Sequence, residues 1–410
     1  MRARRVVREN EPFSGLTAAD TVSLQERLGG LVRVRGRHVR IIRVVGHVLL
    51  PSGTLLCIQS AKASTAALLA WLAYADPSLR SLDIGARLER FGAEGDLGTL
   101  LARLFVAELD AAIRRSGLVL DYRRQHERGG FVRGAIDFRR LIRDGHNLAK
   151  ITSTSWQRRR DTPLNRVFAA ALARVRSDPM LRDAAPESVD ALRTRFADVE
   201  TRVDVALLEG KTPLQRTESA FQRAFDLARI LLMHGGHGEG RETDGVAFLI
   251  NLEGLFEATV ARAFAESGRV RARPQAPLHY RIGLGGRPLK RRTLRIDVLC
   301  DGDGGPFVVD AKFKAKVSAG NVQQMVTYVA MTGARGGALV LPGAAGDDGL
   351  IEVVVRPSPE GTETIRLQVV HLDTTATSLE GWRRSAADLV ARALAGTDKT
   401  TSSTVHRVEG

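Results

Sequence analysis

Apolar positions along this 410-residue chain fall into blocks with different periods. Across residues 31–59 they alternate with polar ones, through V-R-V-R-G-R-H-V-R-I-I-R-V-V-G and T-L-L-C-I-Q, which predicts three or four short strands. Helical spacing follows at 64–75, where Ser64 can cap and Pro77 closes the segment, and at 96–116, capped by Asp96 and stopped by Gly117. A second β stretch, L-V-L-D-Y-R-R-Q-H-E-R-G-G-F-V-R-G-A-I-D-F, turns at Gly129-Gly130. The period becomes helical again after D-T-P-L-N, where Asp161 or Thr162 can cap and Pro163 suits the first turn. Helices then run to Met233. Residues 234–243, H-G-G-H-G-E-G-R-E-T, are rich in glycine and poor in apolar side chains, as a linker is. His234 and His237, with no further ligands beside them, read as solvated.

Past that linker, residues 244–267 place Leu249, Leu252, Phe256, Val260 and Phe264 at helical spacing. A hairpin pattern follows at 294–314. Next comes a helix at 318–332, with Ser318 as its cap and Gly333 as its stop. A strand starts at Gly337, two more strand-like runs span 351–356 and 364–372, and a helix spans 379–395. Residues 1–27, polar and rich in Arg, read as a flexible basic terminus, and 396–410 as a disordered tail.

The hairpin carries the chemistry. It reads L-R-I-D-V-L-C-D-G-D-G-G-P-F-V-V-D-A-K-F-K, two β-branched runs around Asp303-Gly304, a dipeptide suited to a tight turn. If that dipeptide is the loop, Gly302 pairs with Gly305, and counting outwards sets Asp297 opposite Asp310. Lys312 shares the face of Asp310 because strand side chains alternate. Two opposed carboxylates repel and suit a strand poorly. A hard divalent cation between them removes the conflict, since Mg²⁺ prefers carboxylate oxygen and retains waters. A lysine alongside can orient such a water and stabilise charge developing on phosphate. In the 318–332 helix, Gln324 and Tyr328 lie four apart on one face. In the 244–267 helix, Glu253 and Glu257 lie four apart beside the apolar stripe; a solvated face is the bland reading for both.

Composition adds a polyanion partner. The formal charge is +15, with Arg well above Lys, and a basic surface speeds encounter with nucleic acid. Arg33, Arg35, Arg37, Arg40 and Arg43 sit on the early strands, where a solvated sheet face and a strip facing DNA or a partner are both open readings. Two distant cysteines, Cys57 and Cys300, point to a reducing compartment. No apolar h-region follows the basic start, and the apolar run at 63–75 is too short for a bilayer, so a cytoplasmic protein is expected. Gly210-Lys211-Thr212 lacks the upstream glycine of a phosphate-binding loop, Val205 standing there instead. Any nucleotide-driven motor is therefore expected from a partner. Asp301-x-Asp303-Gly304 lacks the later ligands of a calcium loop.

Asp297 followed by Asp310-x-Lys312 resembles the active-site signature of the PD-(D/E)xK nuclease superfamily, with Ile296 in place of the proline. Q-M-V-T-Y from Gln324 resembles the Q-x-x-x-Y element of the RecB-like branch, and Leu255-Phe256-Glu257 the helix that lends a Glu to the metal. Read together with V-V-G-H-V-L-L and D-T-P-L-N-R, the chain resembles the McrC family over residues 40 to 375. That resemblance implies an α+β N-terminal region of short strands and helices at 28–233, which docks a partner. An α/β restriction-endonuclease-like domain follows at 244–395. It implies Mg²⁺ held by Asp297, Asp310 and Glu257, with Asp297, Asp310 and Lys312 catalytic. Gln324, Tyr328 and Lys314 would contact DNA. The implied function is cleavage of modified, methylcytosine-containing DNA in a type IV restriction system, a phage defence. The implied partner is a McrB-like AAA+ hexamer that binds GTP and is stimulated by this chain. Two other functions share these features: an adaptor that activates an AAA+ ring, and a repair nuclease with a different motor. The early segment continues I-Q-S-A-K where a proline-lysine pair is expected, so the docking residues stay unassigned.

Overall fold

The computed structural model describes residues 3–61, 63–76, 97–143, 148–182, 185–209, 212–233, 247–284, 287–302, 304–358 and 361–395. The expected linker with His234 and His237, the expected tail, Asp96, Asp303 and the Gly210-Lys211 pair lie outside them. Among the described residues, no helix is long and apolar enough to cross a membrane.

The chain forms two compact units, one made of residues 1–97 with 249–410, the other of 98–248. This differs from the expected division into 28–233 and 244–395. The reason lies in a sheet whose strands come from far apart in sequence. Arg4–Arg8 pairs in parallel with Leu55–Gln59, which pairs antiparallel with Val44–Leu49, and Ala247–Asn251 completes the order. From Arg4 onward the expected flexible terminus is therefore built into regular elements. Val6 and Val7 enter that strand, and a capping box of Thr17 and Asp20 starts the Ala18–Leu28 helix. Ala247–Asn251 also corrects the expected helix at 244–267, because A-F-L-I-N is a strand and the helix runs only over Leu252–Glu266. Asn251 caps it, its Oδ1 accepting from the amides of Glu253 and Gly254. A short apolar run does not reveal its period, so strand and helix look alike there.

In the same unit lies a mixed sheet in the order Arg271–Leu284, Arg287–Gly302, Gly305–Ala311, Gly337–Pro342, Gly361–Leu372, Gly349–Ser358. Its outer pairs are antiparallel and its central ones parallel. The Ala319–Thr332 helix packs Met325, Tyr328 and Val329 against Val308, Leu339 and Leu367. Gly337 permits that approach, since a Cβ there would lie 2.5 Å from the Met325 methyl and 2.8 Å from the Val308 carbonyl. A second core gathers around Trp71 of the Thr65–Ala75 helix. Its ring stacks on Trp382 at 5.4 Å, and its Nε1 donates to Thr259 Oγ1 at 2.6 Å. A third, three-stranded sheet orders Pro12–Phe13, His38–Ile41 and Val32–Arg35.

The 98–248 unit is built on helices around Phe105, Phe168, Phe196 and Phe221. Thr162 caps the Pro163–Ser177 helix. Asp161 accepts from Arg166, which also reaches Glu200 at 3.1 Å, and Asn165 Nδ2 holds the carbonyls of Val119 and Arg160. The D-T-P-L-N-R stretch is thus a structural joint. The β stretch there pairs otherwise than expected, because Asp121–Gly129 lies against Ile151–Arg159 rather than against the run following its glycine turn. Only Ala135–Ile136 of that run reaches the sheet.

Candidate active site

The hairpin register follows the count from its turn. Gly302 faces Gly305, and the regular ladder runs to Val298 opposite Val309, so the next residues outward are Asp297 and Asp310. Here the sheet changes character. Asp297 Oδ2 accepts from the amide of Ala311 at 2.9 Å, while Gly305–Ala311 pairs on its other side with Gly337–Pro342, setting Asp310 beside Leu339. The amide of Lys312 still donates to the Val340 carbonyl at 2.8 Å, which aims its side chain back along the strand end.

The Lys312 ammonium lies 2.9 Å from both oxygens of Asp310 but is aligned for a hydrogen bond only with Oδ1. Asp310 is 1% exposed, and its Oδ2 is left buried with no hydrogen-bond donor. Its close electropositive neighbour is the Lys312 ammonium, at ion-pair distance but not aligned to donate to it. Burial, opposed by Lys312 and reinforced by Asp297, pushes the Asp310 carboxyl up to about 6. Asp297 is also raised, by burial against the Ala311 amide and Lys312. Glu257 is pushed up to about 7 by burial and then by the charges of Asp297 and Glu253, with Asp310 adding to them. Burial opposes the charge on Lys312, but Asp310 and Asp297 together hold its pKa above the ordinary lysine value. The site is thus a partly buried patch of acids that repel one another around a firmly protonated lysine.

Packing fixes this arrangement. Phe256 precedes Glu257 and Phe313 follows Lys312, and their rings meet at 5.6 Å. Trp71 touches both, at 6.3 Å and 5.8 Å. One aromatic cluster therefore sets the spacing between the Leu252–Glu266 helix and the end of the acid-bearing strand.

The remaining expected residues divide. Gln324 Nε2 donates to the Tyr328 hydroxyl at 2.8 Å, and that hydroxyl donates to the Arg295 carbonyl at 3.0 Å. Tyr328 is 2% exposed, and its hydroxyl bond to the Arg295 carbonyl braces the strand leading to Asp297. Lys314 is tied to the start of the Ala319–Thr332 helix through Ser318 and Asn321, and burial with the neighbouring Lys312 and Arg43 lowers its pKa. Arg43 is the residue that periodicity missed. It does not join a solvated face. Its Nη1 lies 2.8 Å from both oxygens of Glu253, its carbonyl accepts from the Leu252 amide, and its φ is 58°. A non-glycine residue is held in that region only when its surroundings over-determine it. Nothing local in I-I-R-V-V announces this, since the partner lies 210 residues away.

A Mg²⁺ ion fits these residues through the buried, undonated oxygen of Asp310 and the mutual repulsion of the acids, which a divalent cation would relieve. Among the described residues no group of three or more His, Cys, Asp or Glu side chains is arranged to hold a metal by itself. Mg²⁺ does not need one, being commonly bound by one or two carboxylates with waters and substrate phosphate.

Fold and site together define a mixed α and β protein in which a central hairpin brings two acids and a lysine to one strand end. The family model of the McrBC 5-methylcytosine restriction system component matches residues 39–342, and the chain belongs to that family. Among solved structures it is similar to a chain of the refined half-complex from a tetradecameric assembly of Thermococcus gammatolerans McrB AAA+ hexamers with bound McrC. The TM-score is 0.61 at 16% identity, over 94% of this chain and 100% of that one, which shows a shared fold. The cryo-EM structure of the Thermococcus gammatolerans McrBC complex matches 65% of this chain and 88% of that one, at 18% identity and a TM-score of 0.49. No curated protein matches.

Proposed function

We propose that this chain is the Mg²⁺-dependent DNA endonuclease component of a McrBC-like type IV restriction system, its mixed sheet being a PD-(D/E)xK domain. The observation that carries this is the convergence of Asp297, Asp310 and Lys312, with one Asp310 oxygen buried and undonated. Asp297 and Asp310 would hold the ion, Glu257 standing beside them as a further ligand or base. When bound, Mg²⁺ supplies Lewis-acid polarisation of the scissile phosphate and lowers the pKa of a bound water. Lys312, protonated and fixed on Asp310, is suited to orient that water and to stabilise charge on the phosphate, and is unsuited to serve as the base. Gln324 and Lys314 would steady the strand being cut, with Tyr328 positioning the Asp297 strand beneath them.

The partner would be an AAA+ hexamer that binds GTP in this chain's stead, as the similarity to a chain from McrB hexamers with bound McrC suggests. Its docking surface would be the three-stranded sheet of the 98–248 unit. On its strands and in the segments beside them, Tyr122, Phe131, Phe138, Ile142 and Trp156 are between 55% and 90% exposed, apolar side chains that a partner would cover. Cleavage of methylcytosine-containing DNA by the full chain with its partner, GTP and Mg²⁺ tests the reading. Asp310→Ala and Lys312→Ala are each expected to lower cleavage by at least about 10²-fold, the scale of losing a group that acts on the transition state, while partner binding persists. Retained cleavage by both variants would remove the site.

A further inference from the structure

The three-stranded sheet beside the N-terminus presents a face that its own chain does not neutralise. Its register sets Arg33 opposite Arg40 and Arg35 opposite His38, and alternation puts all four on one face. Val32, Val39 and Ile41 go to the buried side. Pro12 pairs with Arg40 at the sheet edge, and Arg37 extends the row in the Gly36-Arg37 turn. Like charges directly opposite on neighbouring strands are destabilising. Elsewhere the same chain answers this with acids. Arg366 faces Glu352 across strands with an ion pair of 3.0 Å, and Arg273 reaches Asp301 at 3.0 Å. Arg33, Arg35, Arg37 and Arg40 have no such acid among the described residues. A cavity of about 600 Å³ beside the sheet is lined by Arg33, Arg35, His38 and Arg40 together with Pro12, Val34 and Val39.

We infer that this face is a second nucleic-acid site, one that binds the phosphodiester backbone away from the bond being cut. Three features favour a nucleic acid over an acidic protein. Arg33, Arg35 and Arg40 crowd the face, and no aromatic side chain of the sort that anchors protein interfaces lines the cavity beside it. Arg33 and Arg35 are about 6.6 Å apart along their strand, two residues at roughly 3.3 Å each, comparable to the step between successive phosphates. The strand that carries Arg40 also runs directly on to Arg43, whose guanidinium holds Glu253 in the helix that bears Glu257. Three residues span at most ~11 Å, so a short stretch of chain links this face to the Arg43–Glu253 pair. This inference rests on the proposed nuclease reading for its purpose, while its test does not require cleavage.

The test is anisotropy titration of a labelled unmodified duplex, and of the matching single strand, with the full chain over a range of salt concentrations. Arg33→Ala/Arg35→Ala/Arg40→Ala is expected to weaken duplex binding at least tenfold. The slope of log K against log salt should also fall by about 2.7, since each phosphate contact contributes roughly 0.9. The corresponding triple Lys variant should keep most of the slope, which separates lost charge from a damaged sheet. A loss seen on both probes, or on the duplex alone, supports the site and tells which form it holds. Unchanged affinity and slope on both would overturn it, and so would a loss of AAA+ partner binding with DNA binding intact. Failure of Asp310→Ala to affect cleavage would count against the nuclease reading and leave this result standing.

Discussion

Asp310 concentrates the cost of the site in one residue. Its carboxyl, at about 6, and that of Glu257, at about 7, both stand above the ordinary values of 3.8 and 4.5 that they regain on unfolding. Between those limits the folded chain holds protons that the unfolded chain has released. Stability of the metal-free protein should therefore fall as pH rises from about 4 to about 7, because the slope follows the difference in bound protons. A Mg²⁺ ion held by these acids, as proposed, would compete with those protons and so should raise Tm more at pH 8 than at pH 5. Thermal unfolding of the wild type and of Asp310→Asn, with and without Mg²⁺, checks this, and the variant should show a shallower pH dependence and a smaller metal effect. An identical Mg²⁺ shift at both pH values in the wild type would contradict it. The acids and the lysine were legible in the sequence because a turn dipeptide and strand alternation are local rules. The part played by Arg43 was not, because its positive φ and its hold on Glu253 depend on a contact across half the chain. The duty of Tyr328 was half legible, since spacing paired it with Gln324 but only packing shows its hydroxyl turned to the Arg295 carbonyl.

Elements with their own start and stop signals stand where the sequence puts them. Ser64 caps Thr65–Ala75, and Ser318 with Asn321 opens the helix that ends on Gly333 at φ 66°. Strands without such signals take their state from non-local partners: Arg4–Arg8 and Ala247–Asn251 from strands far along the chain, and Ile151–Arg159 from Asp121–Gly129. What joins the well-signalled helix at Leu252–Glu266 to the hairpin is likewise non-local. Phe256, fully buried, meets Phe313 and Trp71, and this contact brings Glu257 into the electrostatic reach of Asp297 and Lys312. Phe256→Ala is expected to cost about 3–5 kcal/mol in chemical denaturation, the range for emptying a buried phenylalanine site. Phe256→Leu keeps most of the volume and should cost well under half of that. Equal losses for the two variants would show that the ring fills no defined space there.

At the scale of the whole molecule, the active-site unit is discontinuous. Residues 1–97 and 249–410 form one compact body, and residues 98–248 form another that enters the sequence between them. The hairpin that carries Asp297 and Asp310 lies wholly in the second segment, yet much of what holds it comes from the first. Trp71 packs on Phe313 and Phe256, Arg43 binds Glu253, and Val44–Leu49 lies in the same sheet as Ala247–Asn251. A fragment of residues 244–410, the division that linker composition alone would choose, leaves those apolar faces uncovered and Glu253 without its cation. It should fail to show a cooperative thermal transition by circular dichroism. A chain joining residues 1–97 to 249–410 through a short Gly/Ser linker restores the missing partners and should unfold cooperatively, as a domain with its own core does. It should also bind Mg²⁺ with an affinity near that of the full chain, measured by calorimetry, while losing contact with the AAA+ partner if the exposed aromatics of the 98–248 unit dock it. Cooperative folding of 244–410 by itself would show that the N-terminal segment merely decorates the site.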